Sequence, residues 1–85
     1  MKNEKKKKTV TIIINGREFE VEKKKISFEE VVRFSFGEYN PNENTAYTVS
    51  YSKGEDKKPK GQIVAGDNVM VKEGMIFNVS RTNKS

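Results

Sequence analysis

The sequence predicts an α+β domain in which a mixed sheet of four or five strands carries one short helix on one face. Three observations lead there. Apolar and polar residues alternate with period two on both sides of Asn15-Gly16. A single window, Ser27 to Gly37, has helical periodicity with a capping residue at each end. Everything after it returns to short alternating runs, and residues 53–74 are too rich in Gly, Pro and Lys to offer a second helix.

In chain order, "TVTIII" places Val10, Ile12 and Ile14 on one face, and "REFEVE" places Phe19 and Val21 inward with Glu18, Glu20 and Glu22 outward. Asn-Gly between two such runs is a hairpin signal, because both turn residues tolerate positive φ. Next, "SFEEVVRFSFG" begins with Ser27 as N-cap and Glu30 three residues on, a capping box. Phe28, Val31, Val32 and Phe36 line one face, and Gly37 supplies a left-handed stop. "GEYNPNENT" is a turn-rich connector. "AYTVSYS" then puts Tyr47, Val49 and Tyr51 on one side of a third strand. "KGEDKKPKG" is a charged loop; "QIV", "NVMVK" and "IFNVSRT" are further strands, divided by the turns "AGD" and "EGM". No segment of 20 to 50 residues repeats.

Composition narrows the chemistry. A chain of 85 residues with 33% apolar content makes one small domain, near the size where a single core only just suffices. It has no cysteine and no histidine, which removes thiol catalysis, thiolate metal sites and the commonest general base. Glu29 with Glu30, and Glu55 with Asp56, are neighbours in sequence and diverge, whereas catalytic carboxylates must converge in a pocket. The expected protein is therefore no enzyme, with no cofactor and no metal; "NPNENT" has oxygen ligands but reads as an Asx-turn connector.

The formal charge of +5 is concentrated at one end. Residues 1–8 hold Lys2 and Lys5 to Lys8 with Glu4; setting these five lysines and one acid aside leaves 12 bases against 11 acids. The body is nearly neutral, and aromatics or glycines do not interleave with the basic clusters, so nucleic acid is not the expected partner. Residues 1–8 read as a disordered basic tail. "TVTIII" is too short for a signal-peptide core or a membrane span, and the expected location is the cytoplasm.

A hairpin, a crossover helix and returning strands follow the order of the β-grasp fold, with the last strand parallel to and beside the first. Burial in the sheet centre accounts for the apolar character of "TVTIII" and "MIFNV". Taken together, "ISFEEVV", "YNPNENTAYTVSY", "GEDKKPKG" and "KEGMIFNVSRT" resemble bacterial multiubiquitin domains, a ubiquitin-like family, over residues 9–84. The resemblance implies a protein tag encoded beside an activating enzyme, a conjugating enzyme and a deubiquitinase-like peptidase. These proteins, with a target of unknown identity, are the implied partners, and the free protein is expected to be a monomer. Ubiquitin-like modifiers usually end in Gly-Gly, which threads narrow enzyme channels; "SRTNKS" contains no glycine, so dedicated enzymes would have to accept another residue.

Two groups of candidate site residues follow. Arg81, Thr82, Asn83, Lys84 and Ser85 form the expected conjugation tail, flexible from residue 82 onward and following a domain of residues 9–81. Residues past about Val79 should leave the strand ladder, with Arg81 offering a planar fork to a partner carboxylate. The second group is the sheet face opposite the helix, where alternation puts Thr11, Ile13, Thr48, Ser50, Asn78 and Ser80 as a docking surface centred on Ile13.

Overall fold

The computed structural model of the chain describes residues 8–83. The basic tail at residues 1–7, and Lys84 and Ser85 of the expected conjugation tail, lie outside the described residues. Lys8, counted with the tail, has its carbonyl accepting the Lys23 N–H at 2.9 Å, which continues the hairpin by one pair.

β1 (Thr9–Ile14) and β2 (Arg17–Glu22) pair antiparallel about Asn15-Gly16. Asn15 has φ 51° and Gly16 φ 82°, so both turn residues are left-handed and the turn's twist matches that of the strands. α1 (Phe28–Phe36) starts from a complete capping box: the Glu30 N–H donates to Ser27 Oγ at 3.1 Å, and the Ser27 N–H donates to Glu30 Oε1 at 2.9 Å. It ends at Gly37, whose N–H donates to the Arg33 carbonyl at 2.7 Å with φ 81°. A Cβ at Gly37 would meet nothing within 4 Å, so Gly37→Ala isolates the backbone cost of the left-handed cap. That substitution should lower stability by about 1 kcal/mol, read from a urea midpoint, with Gly37→Asn losing less.

β4 (Thr45–Ser52), β5 (Gly61–Ile63) and β7 (Ile76–Asn83) complete a five-stranded sheet in the order β2-β1-β7-β4-β5. β1 and β7 lie side by side and parallel, with Ile13 opposite Ile76 and Ile14 opposite Phe77. This mixed sheet with one helix packed on it is the β-grasp fold. The core forms between helix and sheet, from Phe28, Val31 and Val32 of α1 and Val10, Ile12, Ile14, Val49, Tyr51, Ile63, Phe77 and Val79 of the strands. Phe19 and Val21 point inward as expected but stay only partly buried, because β2 is an edge strand.

The structure also adds a two-stranded sheet. Lys25–Ser27 is a strand (β3), and it pairs antiparallel with Asn68–Met70 (β6) through Ile26 opposite Val69. "NVMVK" therefore leaves the main sheet, and the lysines after β2 run straight into a strand. Burial of Ile26 and Val71 drives this: both close the core at the N-terminal end of α1, and the Val71 N–H to Lys24 carbonyl bond at 3.2 Å holds them there. No helix among the described residues is long and apolar enough to cross a membrane.

Candidate interaction face and C-terminal strand

β7 carries Asn78 and Ser80 of the face and Arg81, Thr82 and Asn83 of the tail, so its pairing with β1 and β4 decides the geometry of both groups. It runs antiparallel to β4 over its whole length, from Ser52 opposite Ile76 to Thr45 opposite Asn83. Arg81, Thr82 and Asn83 are thus ladder residues, which corrects the expectation that the strand ends near Val79 and that a flexible tail begins at residue 82. The reason is length: β4 begins at Thr45 and supplies a partner for every β7 residue, while polar side chains on an exposed strand cost the ladder nothing. Thr45 Oγ1 donates to Asn83 Oδ1 at 3.5 Å, and the Thr48 and Ser80 hydroxyls bond each other across the same ladder.

The other side of β7 behaves differently. Ile13 N–H donates to the Met75 carbonyl at 2.9 Å and Asn15 N–H to the Phe77 carbonyl at 3.0 Å, so odd-numbered β7 residues turn their backbone groups toward β1. β1 ends at Ile14, and the Asn15 side chain takes over from the backbone. Val79 N–H donates to Asn15 Oδ1 at 2.9 Å, and Asn15 Nδ2 donates to the Val79 carbonyl at 3.0 Å and to Ser35 Oγ at 3.0 Å. One carboxamide imitates the next peptide of a parallel strand. Beyond it, the backbone groups of Arg81 and Asn83 face an edge that no other described strand occupies.

Arg81, the expected recognition handle, lies on the helix side of the sheet in the free domain. Its guanidinium carbon sits 5.0 Å from the centroid of Phe36. Phe36 is 5.9 Å from Tyr47, Tyr47 5.3 Å from Tyr39, and Tyr39 5.8 Å from Phe28, a chain of rings from the end of the sheet to the core. A cation over a ring near the surface contributes roughly 0.5–1 kcal/mol, enough to orient the side chain and weak enough to release it to a better partner.

On the face opposite the helix, register brings Ser50 opposite Asn78 and Thr48 opposite Ser80, with Thr11 and Ile13 on the adjoining β1. The predicted docking residues do share one surface. Ile13 has a companion that sequence alternation alone left unpaired: Ile76 lies directly opposite it on β7, and both are partly exposed. Thr11 gives its backbone N–H to Glu73 Oε1 at 3.0 Å, so the turn before β7 borders this face.

The "NPNENT" connector contains an Asx turn, with the Asn44 N–H on Asn42 Oδ1 at 2.7 Å. Among the described residues, no group of three or more acids could hold a metal ion.

Comparison with known proteins identifies a family. A protein-family model described as Multiubiquitin covers residues 10–83. No curated protein and no solved structure matches the chain.

Proposed function

The chain belongs to the multiubiquitin family, and from that membership we propose that this ubiquitin-like protein is a modifier, handled through its C-terminal segment by activating, conjugating and peptidase partners in a bacterial cytoplasm. The observation that carries this reading is the one-sided pairing of β7 after Val79, which displays Arg81 and Asn83 backbone groups along an open edge leading to the C-terminal segment. An activating enzyme can take up that edge as an added strand, align the segment and bring a carboxylate to ATP. The carboxylate oxygen attacks the α-phosphorus, pyrophosphate leaves, and the acyl adenylate is then captured by a thiol of the enzyme with loss of AMP. The domain itself supplies recognition and the acyl group rather than catalysis. Arg81, lifted from Phe36, offers its planar fork to a carboxylate of the partner, with Thr82, Asn83, Lys84 and Ser85 as the remaining tail contacts.

The test mixes the protein with an adenylating enzyme from the same gene neighbourhood, ATP and magnesium, and follows intact mass. An ATP-dependent adenylate or covalent enzyme adduct is expected, and Arg81→Lys should slow its formation several-fold while leaving the fold unchanged. Absence of any ATP-dependent product from the full chain and from forms trimmed within residues 82–85 would remove the conjugation mechanism.

The Ile13–Ile76 pair favours a second reading, a module that docks without conjugation through Thr11, Ile13, Thr48, Ser50 and Asn78. Two aliphatic side chains ringed by hydroxyl and amide groups form a small apolar centre with a polar rim. In that case Ile13→Ser with Ile76→Ser should abolish partner capture, and C-terminal trimming should leave it intact.

A further inference from the structure

We propose that the free edge of β2, together with the exposed Phe34 side of α1, is a strand-addition site for an extended partner segment in which lysine or arginine alternates with bulky apolar residues. This surface lies at the opposite edge of the sheet from β5, and the proposal is independent of conjugation.

Three features coincide here. β2 is the terminal strand of the main sheet. In β1 the odd-numbered residues turn toward β7, since Thr11 and Ile13 exchange bonds with the Gly74 N–H and the Met75 carbonyl. The even-numbered ones therefore pair with Arg17, Phe19 and Val21, and the backbone groups of Glu18 and Glu20 face outward, open to a further strand.

The two faces of that edge differ in chemistry. Glu18 and Glu20, followed by Glu22, point to the face away from the helix; Glu20 accepts from Thr9 Oγ1 at 3.1 Å, and Glu22 sits 3.5 Å from the Lys24 ammonium. On the helix side, the Phe19 ring lies 5.2 Å from that of Phe34, tilted by 47°; Phe34 is 39% exposed and is one of two large apolar side chains left exposed among the described residues. A hollow of about 420 Å³, lined by Glu30, Arg33 and Phe34, opens beside it. An added strand would place alternate side chains on these two faces. Those beside Glu18 and Glu20 are selected to be cationic, and those beside Phe19 and Phe34 to be apolar.

A second copy is the wrong occupant. Pairing β2 with β2 would set two rows of glutamates side by side on one face, and like charges across a ladder are destabilising. The same row that blocks self-pairing of the edge attracts a basic strand.

The experiment titrates the full chain with a synthetic peptide, Lys-Val-Lys-Ile-Lys-Val-Lys, and follows backbone amide shifts and hydrogen exchange. Saturable shifts confined to β2 and α1, with new protection at the Glu18 and Glu20 amides, are expected. Glu18→Lys with Glu20→Lys should weaken binding at least about tenfold, as two attractive cross-strand pairs become repulsive. Phe34→Ser, at an exposed position, should weaken it several-fold with an unchanged circular dichroism spectrum. The proposal is overturned by equal binding of a peptide with a central proline, by equal binding of an oligolysine lacking the apolar residues, or by shifts confined to the Thr48–Asn78 face. Protection of Glu18 and Glu20 that rises with protein concentration, without peptide, would assign the edge to a second copy and overturn it too.

Discussion

Phe28→Ala should lower stability by about 3–5 kcal/mol, the cost of losing a buried aromatic ring with incomplete collapse of the cavity. Phe28 is the first residue of α1 and is only 4% exposed; it stands edge-on to Tyr39 at 5.8 Å. Its backbone N–H is committed to the Asp67 carbonyl at 3.0 Å, which pins the helix start to the turn before β6, so the site has little freedom to close around the missing ring. Domains are stable by roughly 5–15 kcal/mol in total, and at the low end of that range, which a single small core approaches, the variant should be partly unfolded at room temperature. Urea denaturation gives the measurement: the midpoint should fall sharply with the slope preserved. Phe28→Leu should lose much less. A midpoint unchanged by Phe28→Ala would mean that the ring does not fill the space between helix and sheet.

Asn15→Ala should cost about 2–4 kcal/mol, an unusual loss for an exposed turn residue. Two terms add. Alanine at φ 51° forfeits the local preference of asparagine for left-handed backbone, and removal of the carboxamide leaves the N–H and carbonyl of the buried Val79 without their partner. Asn15→Asp separates them. Aspartate tolerates the same φ and keeps an acceptor for the Val79 N–H, but it brings a carboxylate against the Val79 carbonyl in place of a donor. The expected cost is about 1–3 kcal/mol. Hydrogen exchange gives the more telling readout: protection should fall first at the Val79 amide, which donates to Asn15, while the Ile12 and Val49 amides keep theirs. Uniform loss across the sheet would mean that Asn15 acts only as a turn residue and does not extend β1 along β7.

Much of the fold is legible residue by residue because its signals are local. Asn15-Gly16 names a hairpin through the φ values that two adjacent residues accept, and Ser27 with Glu30 names a helix start through bonds spanning three residues. Alternation in "TVTIII" and "AYTVSYS" assigns faces because a strand's side-chain period is two whatever lies beside it. The candidate face was legible for the same reason, and Thr11, Ile13, Thr48, Ser50 and Asn78 do share it. Ile76 was missed because its role there arises from the parallel register with Ile13, a relation between residues 63 positions apart. A hint lay in its phase: Ile76 is out of step with Phe77 and Val79, and an aliphatic residue on the polar side of a strand marks a surface with some reason to be apolar.

By itself, then, the sequence determined the hairpin, the capped helix, the inward set of core residues and the α+β class, all through dihedral preference, capping bonds and side-chain period. Tertiary structure alone decided that Lys25–Ser27 would become a strand with Asn68–Met70, that β7 would stay in the ladder to Asn83, that the Asn15 carboxamide would hold Val79, and that Arg81 would lie over Phe36. In each of these the free energy comes from a partner brought near only when the core closes. A three-residue strand such as "KIS" has too little propensity to form until Ile26 is buried, and a polar strand end has no reason to stay extended until β4 lies alongside to accept its hydrogen bonds.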